Sequence, residues 1–530
     1  MSDRREFAGK GLALGARGIV AAALAFTALG LAAAPASAAT VVVNTTVDQA
    51  TGSCATTCSL RDAVATANPG DTVQIPAGHY VLTLGNITLT KSLTLAGSGA
   101  RTTVIDGNNT LVGSGGIFFL VNVAGTFEID DLSLINGSVV NGGGAMLAQG
   151  AFVSPPTLTL RLRRCTVANN QSRVRGGGMD LNSLALDIEE CTFSNNSAGG
   201  FAGGGVNLKL GTASVVNSTF SGNRSGFGMG LDISQATSAT LTNNTITANQ
   251  ATSGSNPALV IGATQVTLSN NIIAENVGRD CGIPVTTVTD HNLDSDNSCH
   301  LTGPGDLPGV NPLLGPLADN GGPTDTSALL AGSPAIDAGN NATCPATDQR
   351  GVIRPQGPAC DIGAYELIQP PDCSHAVASP DLLWPPNHKF VPIQITGVTN
   401  PDGGALTIDV TSIFQDEPVG SGKHGCDGED DDHGDQALFP LIFPRDDGGD
   451  GDKRVDGKGV GTATAAVRAE RSCKGDGRVY HISFTATNGQ GLSCMGAVTV
   501  GVARHKNVPP VDGGALYDST KPAPHDHHDD

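Results

Sequence analysis

Between residues 165 and 276 one short phrase returns five times: Cys165-Thr166-Val167-Ala168-Asn169, Cys191-Thr192-Phe193-Ser194-Asn195, Ser218-Thr219-Phe220-Ser221-Gly222-Asn223, Asn244-Thr245-Ile246-Thr247-Ala248-Asn249 and Asn271-Ile272-Ile273-Ala274-Glu275-Asn276. Successive copies start 26, 27, 26 and 27 residues apart. Between them a second element recurs, first as Gly176-Gly177-Gly178-Met179-Asp180-Leu181. It returns as Gly203-Gly204-Gly205-Val206-Asn207-Leu208 and Gly228-Met229-Gly230-Leu231-Asp232-Ile233. A fixed period in the twenties marks a solenoid, each repeat forming one turn. The runs are too short for helices and alternate apolar with polar residues, so each turn is a coil of strands. An all-β chain is expected, with a parallel β-helix over 39–300. Val167, Phe193, Phe220, Ile246 and Ile273 should stack in one row.

Composition fits such a coil. Glycine supplies 71 of 530 residues, only 15% are charged, and small aliphatics dominate the runs. A formal charge of -20 argues against nucleic acid, which selects clustered Lys and Arg. Four Tyr and one Trp offer few stacking faces for sugars. Residues 1–38 read as a signal peptide: Arg4, Arg5, Lys10 and Arg17, an apolar stretch from Gly18 to Ala34, then Ala36-Ser37-Ala38. Arg4-Arg5-Glu6-Phe7 is either a twin-arginine signal or a chance pair in a basic start. No second hydrophobic span follows, so the mature chain is not expected to cross a membrane.

Twelve cysteines in an exported chain favour disulfides. Their spacing suggests Cys54-Cys58, Cys281-Cys299, Cys344-Cys360, Cys426-Cys473 and Cys373-Cys494. Cys165 and Cys191 share a column in adjacent turns. Strands about 4.8 Å apart bring them within disulfide range, so they are either bridged or stacked as thiols.

Ser59 to about residue 68 reads as a short capping helix over the open end of the solenoid. Leu60, Val64 and Ala67 share its inner face, Ser59 caps it and Asp62 reaches back. Here Cys58-Ser59-Leu60-Arg61-Asp62-Ala63, followed by Gly70-Asp71-Thr72-Val73-Gln74-Ile75-Pro76-Ala77-Gly78, resembles bacterial surface proteins named for a Cys-Ser-Leu-Arg-Glu-Ala motif. Asp62 stands where that motif has Glu. The resemblance implies a right-handed β-helix. The repeats built on Phe193-Ser194-Asn195-Asn196 and Phe220-Ser221-Gly222-Asn223 are also similar to those of chlamydial polymorphic membrane proteins, which are adhesins. The autotransporter barrel of those proteins has no counterpart here.

Residues 301–368 leave the period. Asn320-Gly321-Gly322-Pro323-Thr324, Gly332-Ser333-Pro334-Ala335-Ile336-Asp337-Ala338-Gly339, Asp348-Gln349-Arg350-Gly351 and Asp361-Ile362-Gly363-Ala364-Tyr365-Glu366 resemble the segment called a choice-of-anchor domain. That resemblance implies surface attachment, and physically the segment is expected to close the solenoid. Residues 369–372 form a stiff linker. Short alternating runs over 373–503 then suggest an antiparallel β-sandwich. Leu383-Trp384-Pro385-Pro386-Asn387-His388-Lys389, Asp416-Glu417-Pro418 and Arg468-Ala469-Glu470-Arg471-Ser472 resemble secreted bacterial immunoglobulin-like modules. Residues 504–530, rich in Pro, His and Asp, are expected to be disordered.

One constellation on the β-helix could carry chemistry. Register places Asp180, Asn207 and Asp232 in one outward column, with Asn182, Lys209 and Ser234 beside it and Arg173 and Arg175 in the preceding loop. A polysaccharide lyase needs carboxylates to hold Ca²⁺ against a uronate and a base for its α-proton, which gives Asp180, Asp232, Arg175 and Lys209 catalytic roles. The competing reading is a solvated polar face, the default for outward strand positions. Arg161, Arg163 and Arg164 should pair with Asp187, Glu189 and Glu190 one turn later. Asn169, Asn195, Asn223, Asn249 and Asn276 should form a ladder at the turns. Residues 426–457 hold eleven acidic against three basic side chains. Asp447, Asp450, Asp452 and Asp456 could hold Ca²⁺, or the insertion could be merely solvated. His525, His527 and His528 suit weak metal binding or a polar tail equally.

The sequence thus points to a secreted or surface-displayed β-helix followed by a β-sandwich. The expected role is non-enzymatic adhesion or a cell-envelope or matrix function, with an extracellular glycan, cell-surface or matrix partner. The alternatives are a Ca²⁺-dependent polysaccharide lyase and a purely structural surface component.

Overall fold

The computed structural model describes residues 38–522, apart from 110, 122, 152, 154–155, 201, 284–286, 402, 420–454 and 473–474. The proposed signal peptide before Ala38, the Cys426-Cys473 pair, most of the acidic insertion and the three tail histidines lie outside the described residues. Among those described, three parallel sheets of twelve, ten and six strands run side by side. In the main stack, neighbouring strands come from successive turns. Val167 pairs with Phe193, Phe193 with Phe220, Phe220 with Ile246, and Ile246 with Ile273. Each is fully buried, and the rings of Phe193 and Phe220 stack with centroids 4.8 Å apart. One apolar column therefore runs from Val43 to Leu301.

The turns between strands explain the recurring polar residues. Each rung turns on a left-handed residue, in order Asn169, Asn195, Gly222, Ala248 and Glu275, with φ between 54° and 69°. The next residue points inward: Asn170, Asn196, Asn223, Asn249 and Asn276. Each Nδ2 donates to the Oδ1 one rung later at 2.9–3.0 Å. That same Oδ1 accepts the backbone N–H of the preceding rung's Asn. The ladder is thus present, but its first two members are Asn170 and Asn196. Asn169 and Asn195 are instead the exposed turn residues, because Asn serves both adjacent positions in those copies. The final Nδ2, of Asn276, meets the carboxylate of Asp280 at 2.9 Å.

A second column does the same work with changing chemistry. Asn244 donates to Asn271, Asn271 to Asn292, and Asn292 to the Asp306 carboxylate. Upstream the acceptor becomes the Ser218 hydroxyl and then a thiol: Cys191 N–H donates to Ser218 Oγ, and Cys165 N–H donates to Cys191 Sγ at 3.3 Å. Cys165 and Cys191 are buried free thiols, which corrects the proposed Cys165-Cys191 bridge. Sulfur here acts as the rung's hydrogen-bond acceptor. Disulfides join Cys54-Cys58, Cys281-Cys299, Cys344-Cys360 and Cys373-Cys494.

The long strands Met179–Glu189, Val206–Val216 and Leu231–Thr242 bend once each. Inward residues change parity at the bend: Met179 and Leu181 before it, then Leu184, Leu186 and Ile188 after it. The bends fall at Ser183, Leu210 and Gln235, with φ of 56°, 63° and 55°.

At the N-terminal end, Leu60–Thr66 is a helix whose Leu60, Ala63 and Val64 enter the core column. Ser59 Oγ accepts the Asp62 N–H at 3.0 Å. The Asp62 carboxylate turns to the Gly52 N–H at 2.7 Å and the Thr51 and Ser59 hydroxyls. Arg61 pairs with Asp48 at 2.9 Å and donates to the carbonyls of Gly85 and Asn86. The motif thus ties the cap to the first turns.

Most of 301–368 does not close the far end, as expected from sequence, but lies along the outer face of the ten-stranded sheet. Thr192 Oγ1 donates to the Asp325 carbonyl, Thr219 Oγ1 to Gln349 Oε1, and the Ala364 N–H to Thr245 Oγ1. Arg101, early in the coil, pairs with Asp319 and Asp325. The segment is therefore a brace across several rungs. Its charged residues knit it together: Arg354 donates to Glu366 and to the carbonyls of Asp361 and Gly363. Asp348 accepts the N–H groups of Arg350, Val352 and Glu366.

Beyond the linker, a four-stranded and a five-stranded sheet enclose a second core that includes Ile393, Ile413, Val467, Phe484 and Val500. Most pairings are antiparallel; Leu382–Leu383 joins Ser493–Ala503 in parallel. The part of the tail around 517–519 packs on the sandwich, which the expectation of a disordered tail did not foresee; residues 523–530 lie outside the described residues. Tyr517–Asp518 pairs with Phe414 and Gln415, and the Ser519 N–H donates to the Ile413 carbonyl.

Candidate functional site

The polar column forms in the expected register: Asp180 beside Asn207, Asn207 beside Asp232, and Asp232 beside Val260. Asn182, Lys209 and Ser234 line up next to it. The expected exposure is not found. Asp180, Asn207 and Asp232 are only 4–5% exposed, whereas Lys209 faces solvent. The glycine phrases explain this. Gly176, Gly203 and Gly228 are left-handed, and a Cβ on any of them would come within 2.5–2.6 Å of the Cβ of Asp180, Asn207 or Asp232 respectively. Glycine thus lets each loop fold flat over the polar side chain that follows it.

Under that cover the column is largely self-satisfied. Arg175 Nε pairs with Asp180 at 2.8 Å, and Asn207 Nδ2 donates to the other Asp180 oxygen at 2.7 Å. Asp232 differs. Burial pushes its carboxyl up to about 7, and its Oδ1 is buried without a hydrogen-bond partner. A lyase would need carboxylates converging on an open face near a base. Here one carboxylate is spent on Arg175, the other is substantially protonated at neutral pH, and Lys209 stands on the open side. Among the described residues, no group of three or more His, Cys, Asp or Glu side chains is placed to hold a metal ion.

The acidic insertion gives a similar outcome where it can be followed. Asp447, Asp450 and Asp452 lie outside the described residues. Asp456, proposed beside them as a calcium ligand, is fully buried in the sandwich instead. It pairs with Arg478 at 2.9 Å and accepts from Gln415 at 3.0 Å. Glu417 and Glu470 also meet the fully buried Arg478, at 3.2 and 3.4 Å. A buried guanidinium needs such partners, so Asp456 is committed to the fold. On the β-helix face, Arg161 bridges Glu128 at 2.6 Å and Asp187 at 2.9 Å, and Arg163 meets Glu189 at 3.4 Å. Arg164 reaches back to Asp131 at 2.7 Å rather than forward to Glu190.

Comparison with known proteins agrees with this architecture. Residues 116–298 match the family model of the right-handed β-helix region. The coil is a right-handed β-helix. The crystal structure of the pectate lyase Pel9A is similar at TM-score 0.33 and 17% identity, over 62% of this chain and 96% of that one. A mutant of the PL6 family alginate lyase AlyGC is similar at TM-score 0.29 and 12% identity, over 51% of this chain and 40% of that one. At these values neither lyase bears on what this β-helix binds or does. A search of curated proteins found no match.

Proposed function

We propose that this chain is an extracellular, non-enzymatic β-helix that binds a glycan, cell-surface or matrix partner along its rigid side. The observation that carries this reading is the closed column: Asp180 neutralised by Arg175, and Asp232 buried beneath the glycine loops. Four disulfides support an oxidising compartment outside the cytosol. Among the described residues, no helix is long and apolar enough to cross a membrane. The stacked rungs, their lateral brace and the sandwich supply a stiff, elongated scaffold, which suits presentation of a surface more than turnover of a substrate.

The test sets this reading against the lyase. The mature protein is incubated with polygalacturonate and alginate, with and without Ca²⁺, and ultraviolet absorbance from new unsaturated ends is followed. Retention on a glycan array or on cells without any absorbance change is expected. Absorbance that grows with Ca²⁺ and is lost in Asp180→Ala and Lys209→Ala would overturn the proposal in favour of the lyase.

A further inference from the structure

The bends of the long strands line a groove that the column chemistry does not use. Its volume is about 330 Å³, and its lining runs through Ser183, Leu210, Gln235 and Thr237 to Thr264, with Val153 on one wall. That volume falls within the range of ligand clefts, about 300–1,000 Å³. Successive rungs supply successive lining residues, so the groove repeats along the helix axis at the strand spacing of about 4.8 Å.

Two features mark these bends, the first shared with a few other turns such as those at Arg164, Glu190, Ala248 and Glu275. Most other left-handed positions of the coil carry Asn, Asp or Gly, which tolerate that backbone. Here Ser183, Leu210 and Gln235 carry it. A leucine at φ 63° costs on the order of 1–2 kcal/mol. Strain of this kind persists where something else fixes the residue, and it gathers at binding sites. The pairing register also slips here, between Lys209 and Thr212 and between Ser234 and Ala236. Such bulges re-aim side chains beside functional clefts.

We propose that this groove binds a neutral, linear polysaccharide laid parallel to the solenoid axis. The inference rests on the glycan-binding reading above and gives it a place and a chemistry. None of the lining side chains ionises. The exposed Gln235, Thr237 and Thr264 offer amide and hydroxyl partners for sugar hydroxyls, while Val153 and the half-buried Leu210 offer apolar surface for ring faces. A polyuronate would need cations in the lining; Lys209 stands alone in the adjoining row of Asn182, Ser234 and Gly262. An extended peptide would need a free strand edge for main-chain pairing. The strands here are already paired on both sides along the axis. A polymer of identical short units also matches a lining that repeats rung by rung.

Calorimetry on the full mature chain tests this with cellohexaose, xylohexaose and hexagalacturonate, alongside an array of intact neutral and acidic polysaccharides. Leu210→Gly and Gln235→Gly should both fold, because glycine accepts the left-handed backbone without strain. A neutral hexasaccharide should bind the parent, each variant should weaken it about tenfold or more, and Thr240→Ala, outside the groove, should leave it unchanged. Tighter binding of hexagalacturonate, or a neutral ligand indifferent to both glycine variants, would overturn the groove assignment while leaving glycan binding in place. No retention of any polysaccharide would overturn the groove assignment and the glycan partner, and no retention on cells either would overturn the adhesion reading as well.

Discussion

Asp232 concentrates the cost of the closed column in a single side chain. Its unfolded carboxyl titrates near the ordinary aspartate value of 3.8, while burial in the fold moves it to about 7. The native state therefore holds a proton that the unfolded state has released across that window. Stability contributed by the neutral acid is complete below about pH 4 and is lost as pH rises toward 7. Asp232→Asn removes the titration and keeps the shape. It should stabilise the protein by a few kcal/mol at pH 8 and by almost nothing at pH 4. Urea melts of both proteins at the two pH values check this, and a difference independent of pH would refute it. The buried thiols make an equally local statement. Cys191→Ser keeps an acceptor for the Cys165 N–H, whereas Cys191→Val orphans it at a cost of roughly 1–3 kcal/mol. A serine variant no more stable than the valine variant would show that Sγ is only packing.

At the scale of the element, the asparagine ladder is where each rung's unpaired backbone groups go. Asn223 accepts from the Asn196 backbone and side chain and donates to the Phe193 carbonyl and to Asn249. Asn223→Ala would leave several buried groups unpaired at once, for a loss of roughly 3 kcal/mol or more. Because solenoid turns contact only their neighbours, hydrogen exchange should speed up at rungs near 196–249 and stay slow near the N-terminal helix. Uniform acceleration along the coil would contradict this. The ladder also shows what was legible in the sequence. A period of 26–27 residues sufficed to stack Val167 through Ile273 and to place Asp180, Asn207 and Asp232 in one column. It could not tell which Asn of the pairs Asn169-Asn170 and Asn195-Asn196 points inward, since a one-residue step reverses the face. Nor did alternation reveal that glycine loops would fold over the Asp column, because outward from the core and open to water are different properties. The bend was signalled, by the parity change between Leu181 and Leu184, yet its groove depends on three turns being stacked.

At the scale of the whole molecule there are two principal cores, one continuous along the coil and one between the sandwich sheets. Among the described residues, few hydrogen bonds join them: Gln490 Nε2 donates to Gln356 Oε1 at 3.1 Å, and Asn488 Nδ2 to the Gln369 carbonyl at 3.2 Å. The coil is secured by ladders, a capping helix and a brace, with disulfides that close short loops. The sandwich depends on the Arg478 charge cluster and on Cys373-Cys494, which spans 121 residues. A loop that long restricts the unfolded chain more than the 18-residue Cys281-Cys299 loop does, by the chain-entropy account. Replacing both Cys373 and Cys494 by Ser should therefore cost the sandwich roughly 4–5 kcal/mol. The coil, whose stacked rungs make no use of that bond, should keep its own transition. Scanning calorimetry of the parent is expected to resolve two transitions, only one of which moves down in the double variant. If both moved together, the few bonds between the modules would be coupling them into one cooperative unit, and the coil could not be treated as an independent scaffold for its groove.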